Sequence, residues 1–480
     1  IMKIKYLLLS VFMLALWSCE TDVLNPNETY PDPYLEIDSG NTDFSTFVSL
    51  GASITAGTTD GSLFLAGQMN SFPNILANVM SMADGGEFTQ PYVNDNVGGL
   101  TLFGNVIAGP RLYFDGAGPA TVNGTPSTEV SNIMPGPYNN LGLPGMNAIH
   151  ALAPGYGNLE GVAAGLANPY FVRMASNPGT SILEDALIQM PTFTSVWVGN
   201  NDVLGFATSG GVTPITDSSE FDFAISSIVG ALAQAGADGI IGNVPDVTSI
   251  AYLNTVPYNA VPLDQATADM LNGAFAVYNG GLQLVQMMGM ISAQEAAART
   301  IVFAAGQNAV TIEDSDLTNL SVLGLPNLRM ATAEDKIVLP AASVIGTTVG
   351  GNPMQINGVS VPLADNLVLT ANEVLEAQMA IASYNGTISA LASQYGWAHF
   401  DANAALNEVS TTGLMMDDFT VTGDLVFGGL FGLDGVHPTA RGNAIIAKLM
   451  MAEIDATYGS NLSDAGLDIG DYPTNYPNGL

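Results

Sequence analysis

Histidine is scarce in this chain, occurring only as His150, His399 and His437. A serine that cleaves an ester needs a histidine as base, a carboxylate to orient it, and donors for the developing oxyanion. His437 stands in the run FGLDGVHPTARG, three residues after Asp434. On one tight turn, a carboxylate at that spacing can reach the imidazole Nδ1 and leave Nε2 free to face a nucleophile. His399 lies inside a strand-like run and reads as a core or rim residue, while His150 follows a loop of no distinguishing context. Ser53 is the matching nucleophile candidate, in SLGASITAG, where Gly51 and Gly57 let a strand turn sharply and expose the hydroxyl. Taken singly, a serine between glycines is an ordinary turn, and an Asp and a His in one loop are an ordinary meeting. No G-x-S-x-G elbow occurs, which argues against the usual α/β-hydrolase arrangement.

Such residues need elements to hold them. Residues 46–50 (TFVSL) form a β-rich run that ends at Gly51, just before Ser53. Residues 195–199 (SVWVG) and 239–242 (GIIG) predict two more buried strands, and residues 397–400 (WAHF) another. Between them lie helix-like stretches at 219–235 and from Thr370 to Gly396, the latter with Glu373 as capping-box partner of Thr370. Val374, Ile381, Tyr384, Ile388, Leu391 and Tyr395 share one face of that helix. Pro438 is placed in the first turn of a last helix with Ile446, Leu449, Met450 and Ile454 facing inward. Strands alternating with helices predict an α/β fold, a doubly wound parallel sheet covered on both faces, with the site at the carboxyl ends of the strands. Residues 84–145 read as a loop-dominated insertion, and residues 250–370 as a second one that resists assignment. Within the second, an apolar helical stretch at 264–298 has Ser292 and Glu295 placed to cap its latter half. Residues 461–480 read as a loose C-terminal tail.

Composition bounds the partners. Nine basic residues face 44 acidic ones, a formal net charge of -35, so nucleic acid and anionic membrane surfaces are excluded as electrostatic partners. Hydrophobic residues make up 48% of the 480, enough for a sizeable core. Cys19 is the only cysteine, which removes disulfides and zinc–thiolate sites together.

The N-terminus predicts export. Met2 reads as the start, Lys3 and Lys5 as a basic n-region, and residues 6–17 as an apolar h-region too short to span a membrane comfortably. Leu16-Trp17-Ser18-Cys19 resembles a bacterial lipobox, so residues 1–18 are expected to be a lipoprotein signal peptide with Cys19 as the lipidation site. Acyl chains there would anchor the protein to the outer membrane, periplasmic or cell-surface. Glu20 and Asp22 resemble the surface-export signals of some Bacteroidetes lipoproteins. Residues 19–42 read as an extended tether, and 43–460 as the folded domain.

Four segments together resemble the SGNH (GDSL-like) hydrolase family, whose members carry Ser, Gly, Asn and His in ordered blocks. Gly51-Ala52-Ser53-Ile54 stands for the first block and Asn140-Leu141-Gly142-Leu143-Pro144-Gly145 for the second. Gly199-Asn200-Asn201-Asp202 stands for the third, and Asp434-Gly435-Val436-His437 for the last. The resemblance implies the SGNH version of the flavodoxin-like sheet and no metal or cofactor. It implies a serine esterase or lipase with Ser53 as nucleophile, His437 as base and Asp434 orienting it. The backbone N–H groups of Ser53 and Gly145 and the Asn201 side chain would bind the oxyanion, with Gly142 an alternative to Gly145. The family's block-one Asp, which supports the loop and is not the triad acid, is replaced by Ala52, so catalysis is expected to survive. Asn243-Val244-Pro245-Asp246 also resembles a recurring family segment, and the 250–370 insertion is similar to a Bacteroidetes lipoprotein branch. The substrate expected is a small-molecule or lipid ester. Alternatives are a carbohydrate O-acetyl esterase using the same residues and a catalytically idle surface binding lipoprotein. The 20 Met and the apolar 264–291 stretch could line an acyl-chain pocket or simply pack the core.

Overall fold

The computed structural model describes residues 36–480; the expected signal peptide, the Cys19 lipidation site and most of the 19–42 tether lie outside the described residues. Residues 37–480 form one compact unit. Its centre is a five-stranded sheet of β1 (Phe47–Gly51), β2 (Asn140–Gly142), β3 (Phe193–Trp197), β4 (Asp238–Gly242) and β5 (Ala398–Phe400). The strands lie in the order β5-β4-β3-β1-β2 and every pairing is parallel. That is the doubly wound, flavodoxin-like order, with its switch point between β1 and β3. All five residues of β1 and of β3 are buried, as expected when both faces of a parallel sheet are covered.

The covering helices are amphipathic, and their caps are local. The short α1 (Ser53–Ala56) leads into α2 (Phe72–Met80), which packs against the last helix, α8 (Ala440–Tyr458). On the other face α4 (Ser218–Gln234) packs against α6 (Ala371–Tyr395), where the Phe221 and Tyr384 rings stack at 4.1 Å. Both halves of the Thr370–Glu373 capping box form, and Gly396 ends α6 in the left-handed conformation. Two further helices, α3 (Asn200–Thr208) and α7 (Ala402–Thr411), start three and two residues beyond the last residues of β3 and β5, respectively. A ring chain joins the layers, Phe72 to Trp197 at 5.6 Å and Trp197 to Phe400 at 5.4 Å.

Three expectations need correction. The last helix begins at Ala440 and is capped by the Thr439 side chain, so Pro438 precedes it rather than sitting in its first turn. Residues 84–145 are not merely loop: two antiparallel hairpins form there, Leu100–Leu102 with Asn105–Ala108 and Leu112–Phe114 with Pro119–Thr121. Residues 461–480 are not a loose tail. Leu462 and Ile469 are fully buried, and Tyr476 packs edge-on against Phe64 while its carbonyl accepts from the Arg111 guanidinium. Apolar side chains spaced among Asp, Asn and Gly were enough to dock the segment.

The 250–370 insertion holds α5 (Gln265–Met287), a short helix Ala293–Arg299 capped by Ser292, and three two-stranded antiparallel ribbons. Leu282, Val285, Ile291, Ala296, Leu320 and Leu325 form a small core of their own there. Among the described residues no helix is long and apolar enough to cross a membrane.

Candidate active site

The sheet delivers the candidate residues at its carboxyl edge. β1 ends at Gly51, where an added Cβ would lie 2.0 Å from Thr55 Oγ1 and 2.7 Å from the Trp197 carbonyl, so only glycine lets the chain turn this tightly into α1. Ser53 is the first residue of α1, and its N–H therefore has no partner within the helix. Ala52 caps that helix without any side-chain bond, the structural consequence of having no Asp at this position.

His437 arrives from 384 residues away. Its Nε2 lies 2.9 Å from Ser53 Oγ, and its Nδ1 lies 2.8 Å from Asp434 Oδ2. Asp434 is held from four directions. Its Oδ1 accepts from the N–H groups of Val436 and His437, both at 2.9 Å, and its Oδ2 also accepts from Gly61 N at 2.6 Å. Burial by itself would raise the pKa of the Asp434 carboxyl, yet the charge of His437 and these bonds outweigh it and hold the group below its ordinary value. The carboxylate is thus ionised and fixed where it must face the imidazole.

The second and third blocks converge on the same place. Asn140 Nδ2 donates to the Thr55 carbonyl at 3.0 Å and its Oδ1 accepts from Gly142 N at 2.9 Å, stitching β2 to the helix that Ser53 begins. Gly142 therefore has its N–H occupied, and an added Cβ would lie 2.2 Å from Ala56 N. Its glycine serves close approach rather than donation. Gly145 differs: its φ is +78°, nothing crowds it, and its N–H meets no acceptor among the described residues. Asn201 sits in the first turn of α3 and gives one amide hydrogen to the Met146 carbonyl at 3.0 Å, leaving the second free. Next to it, Asp202 Oδ2 accepts from Ala148 N at 3.0 Å. Two neighbouring side chains of α3 thus tie down the loop that carries Gly145.

Sequence reasoning missed Asp60. The residue is 1% exposed, its φ is +52°, and its Oδ1 accepts from Leu433 N at 2.8 Å while the next residue, Gly61, donates to Asp434. Burial, with repulsion from Asp434 adding to it, raises its pKa to about 6 against the Leu433 bond and the charges of Arg111 and His437. The signal available was the Asp-Gly pair in TTDG just after the first block, which reads only as a turn.

The other histidines stay apart. His150 Nδ1 accepts from Asn147 N at 3.1 Å and its ring stacks on Tyr156 at 4.9 Å. His399 lies in β5 with its Nε2 buried. Among the described residues, no three His, Cys, Asp or Glu side chains converge as a metal site.

No family model and no curated protein sequence matches the chain. Among solved structures it resembles a mutant of Axe2, an acetyl-xylooligosaccharide esterase from Geobacillus stearothermophilus, at 11% identity and a TM-score of 0.32 over 88% of this chain and 96% of that one. A catalytic mutant of Axe2 described as an acetylxylan esterase from the same organism matches at 11% identity, a TM-score of 0.31 and the same coverage. Likeness at this level adds no weight to a functional reading, which rests on the geometry alone.

Proposed function

We propose that the protein is a serine hydrolase of the SGNH type that cleaves carboxylic esters through an acyl-serine intermediate. The observation that carries this reading is the unbroken row from Ser53 Oγ to His437 Nε2 at 2.9 Å and from His437 Nδ1 to Asp434 at 2.8 Å. Ser53 Oγ attacks the carbonyl carbon as His437 Nε2 takes its proton. Asp434 keeps the other ring nitrogen protonated and stabilises the imidazolium. Negative charge that gathers on the carbonyl oxygen meets three donors: the N–H groups of Ser53 and Gly145 and the free hydrogen of the Asn201 amide. His437 returns the proton to the leaving alcohol, and water, activated the same way, releases the acid.

The test is hydrolysis of p-nitrophenyl acetate by a chain of residues 20–480 and by its Ser53→Ala variant. We expect turnover that falls at least about 10⁴-fold in the variant, with an unchanged thermal midpoint. Equal turnover by both proteins would refute the assignment of Ser53.

A further inference from the structure

Beside the Ser53–His437 pair lies a cleft that no polar side chain enters. Its cavity volume is about 90 Å³, within a wider space of about 610 Å³ that is partly open to solvent. Its lining includes the immediate chain neighbours of that pair: Ile54 follows Ser53, and Val436 and Pro438 flank His437. Consecutive Cα atoms are 3.8 Å apart, so the lining comes within one residue of Ser53 on one side and of His437 on the other. Trp197 and Phe400, from the ends of β3 and β5, line it from the sheet side. Ala405, Leu406 and Val409 of α7 line it together with Ile445, Ile446 and Leu449 of α8.

The chemistry of the lining restricts the occupant. Every lining residue is apolar. The one indole N–H among them, that of Trp197, is already bonded to the Asn243 carbonyl at 2.9 Å. A sugar ring placed here would lose its water and find no free side-chain donor or acceptor, at a cost for each hydroxyl. An alkyl chain would lose only its unfavourable contact with water. The acyl group is also the part of the substrate that stays joined to Ser53 Oγ through both half-reactions, so a slot opening beside Ser53 can act on both.

We infer that the cleft between α7 and α8 is an acyl-chain site, and that the preferred substrates are esters of medium-length aliphatic acids rather than acetates. This rests on the ester-hydrolase reading and specifies its substrate. The apolar 264–291 stretch, a sequence-level candidate for such a pocket, contributes no residue to this cleft. It builds its own small core and exposes Val277, Met287 and Met288 instead.

The experiment compares kcat/KM for p-nitrophenyl acetate, butyrate, hexanoate and octanoate in the parent protein and in Ala405→Phe. Ala405 is half-buried and takes no part in the reacting row, so a larger side chain there should fill the slot. In the parent, kcat/KM should rise about fourfold per added methylene until the slot is full. In Ala405→Phe the octanoate value should fall at least tenfold while the acetate value stays within twofold. Should that variant not fold, Ala405→Leu supplies the same contrast at smaller size. Good acetate turnover with a flat or falling chain-length series would overturn the acyl-chain site and leave the serine mechanism standing. A preference for octyl acetate over methyl octanoate would overturn the acyl assignment, since the slot would then hold the alcohol. If no ester is turned over, the ester-hydrolase reading fails, and calorimetry with sodium octanoate decides the rest. Binding that Ala405→Phe abolishes would keep the slot as an aliphatic site, and no binding at millimolar octanoate would overturn it.

Discussion

Two buried arginines, one near the reacting residues and one in the 250–370 insertion, are satisfied in opposite ways. Arg329 of the insertion meets carboxylates: Nε lies 2.5 Å from Asp314, and Nη1 and Nη2 lie 2.6 and 2.8 Å from Asp335. Burial opposes the charge on Arg329, but the bonds to Asp335 and Asp314 outweigh it and raise its pKa, while Asp335 is correspondingly held below its ordinary value. Arg111, with 0% exposure, meets carbonyls instead, those of Asn96, Leu112, Tyr476 and Pro477. Its guanidinium also lies 4.9 Å from the centre of the Phe64 ring and 5.9 Å from that of Tyr476. Asp60, close enough to feel Arg111, makes no ion pair with it and is left with a raised pKa beside Asp434. A chain with nine cations to 44 acids cannot neutralise every buried carboxylate. At Arg329 the buried charges are matched, which favours a stable frame. Beside Asp434 they are not, and the cost is borne by stability where the geometry of the reacting row is at stake.

This contrast can be broken most sharply at Asp434. Asp434→Asn keeps the size of the side chain but removes the charge that faces His437, and kcat should fall by about 10⁴-fold with little change in thermal midpoint. A fall of less than tenfold would mean that the charge of Asp434 is not needed, and the site side of the comparison would collapse.

The opposite pattern is expected from Arg329→Ala. Removing one partner of a buried, hydrogen-bonded group leaves Asp314 and Asp335 uncompensated, and should cost about 3–5 kcal/mol of stability. At a temperature where the variant is folded, kcat/KM for p-nitrophenyl acetate should stay within twofold. Lost turnover in a folded Arg329→Ala protein would show that the insertion is coupled to the reacting row after all.

The smallest effect, and the one with a pH signature, belongs to Asp60. Its folded pKa of about 6 lies above the ordinary 3.8, so the folded protein binds that proton more tightly than the unfolded chain does. Its contribution to stability is therefore fully present below pH 4 and is lost as pH rises to 6. The full penalty above pH 6 is at most about 3 kcal/mol, at 1.36 kcal/mol per pKa unit. Asn at this position keeps an oxygen for Leu433 N and carries no charge. Asp60→Asn should therefore melt at a higher temperature than the parent at pH 8 and at the same temperature at pH 4. Scanning calorimetry at the two pH values is the check, and an equal difference at both would place the effect in packing rather than in the charge.

The parts of this protein that its sequence alone determined are those settled within a few residues. Thr370 and Glu373 cap a helix three residues apart, Asp434 reaches His437 three residues on, and Gly51 frees the chain to turn into Ser53. Four of the five sheet strands were legible as short apolar runs, with boundaries shifted by one or two residues, while β2 lay within a segment that reads as loop. What only the tertiary structure decided depends on partners far along the chain. Gly61 donates to an acid 373 residues away, and Tyr476 docks on Phe64 from within a segment whose composition suggests a loose tail. That the Gly142 N–H is occupied while Gly145 is uncrowded likewise depends on which backbone lies against α1. Local hydrogen bonds and the alternation of apolar residues are written in neighbouring positions. Burial, the charges it isolates and the space left beside a nucleophile exist only once distant segments have packed.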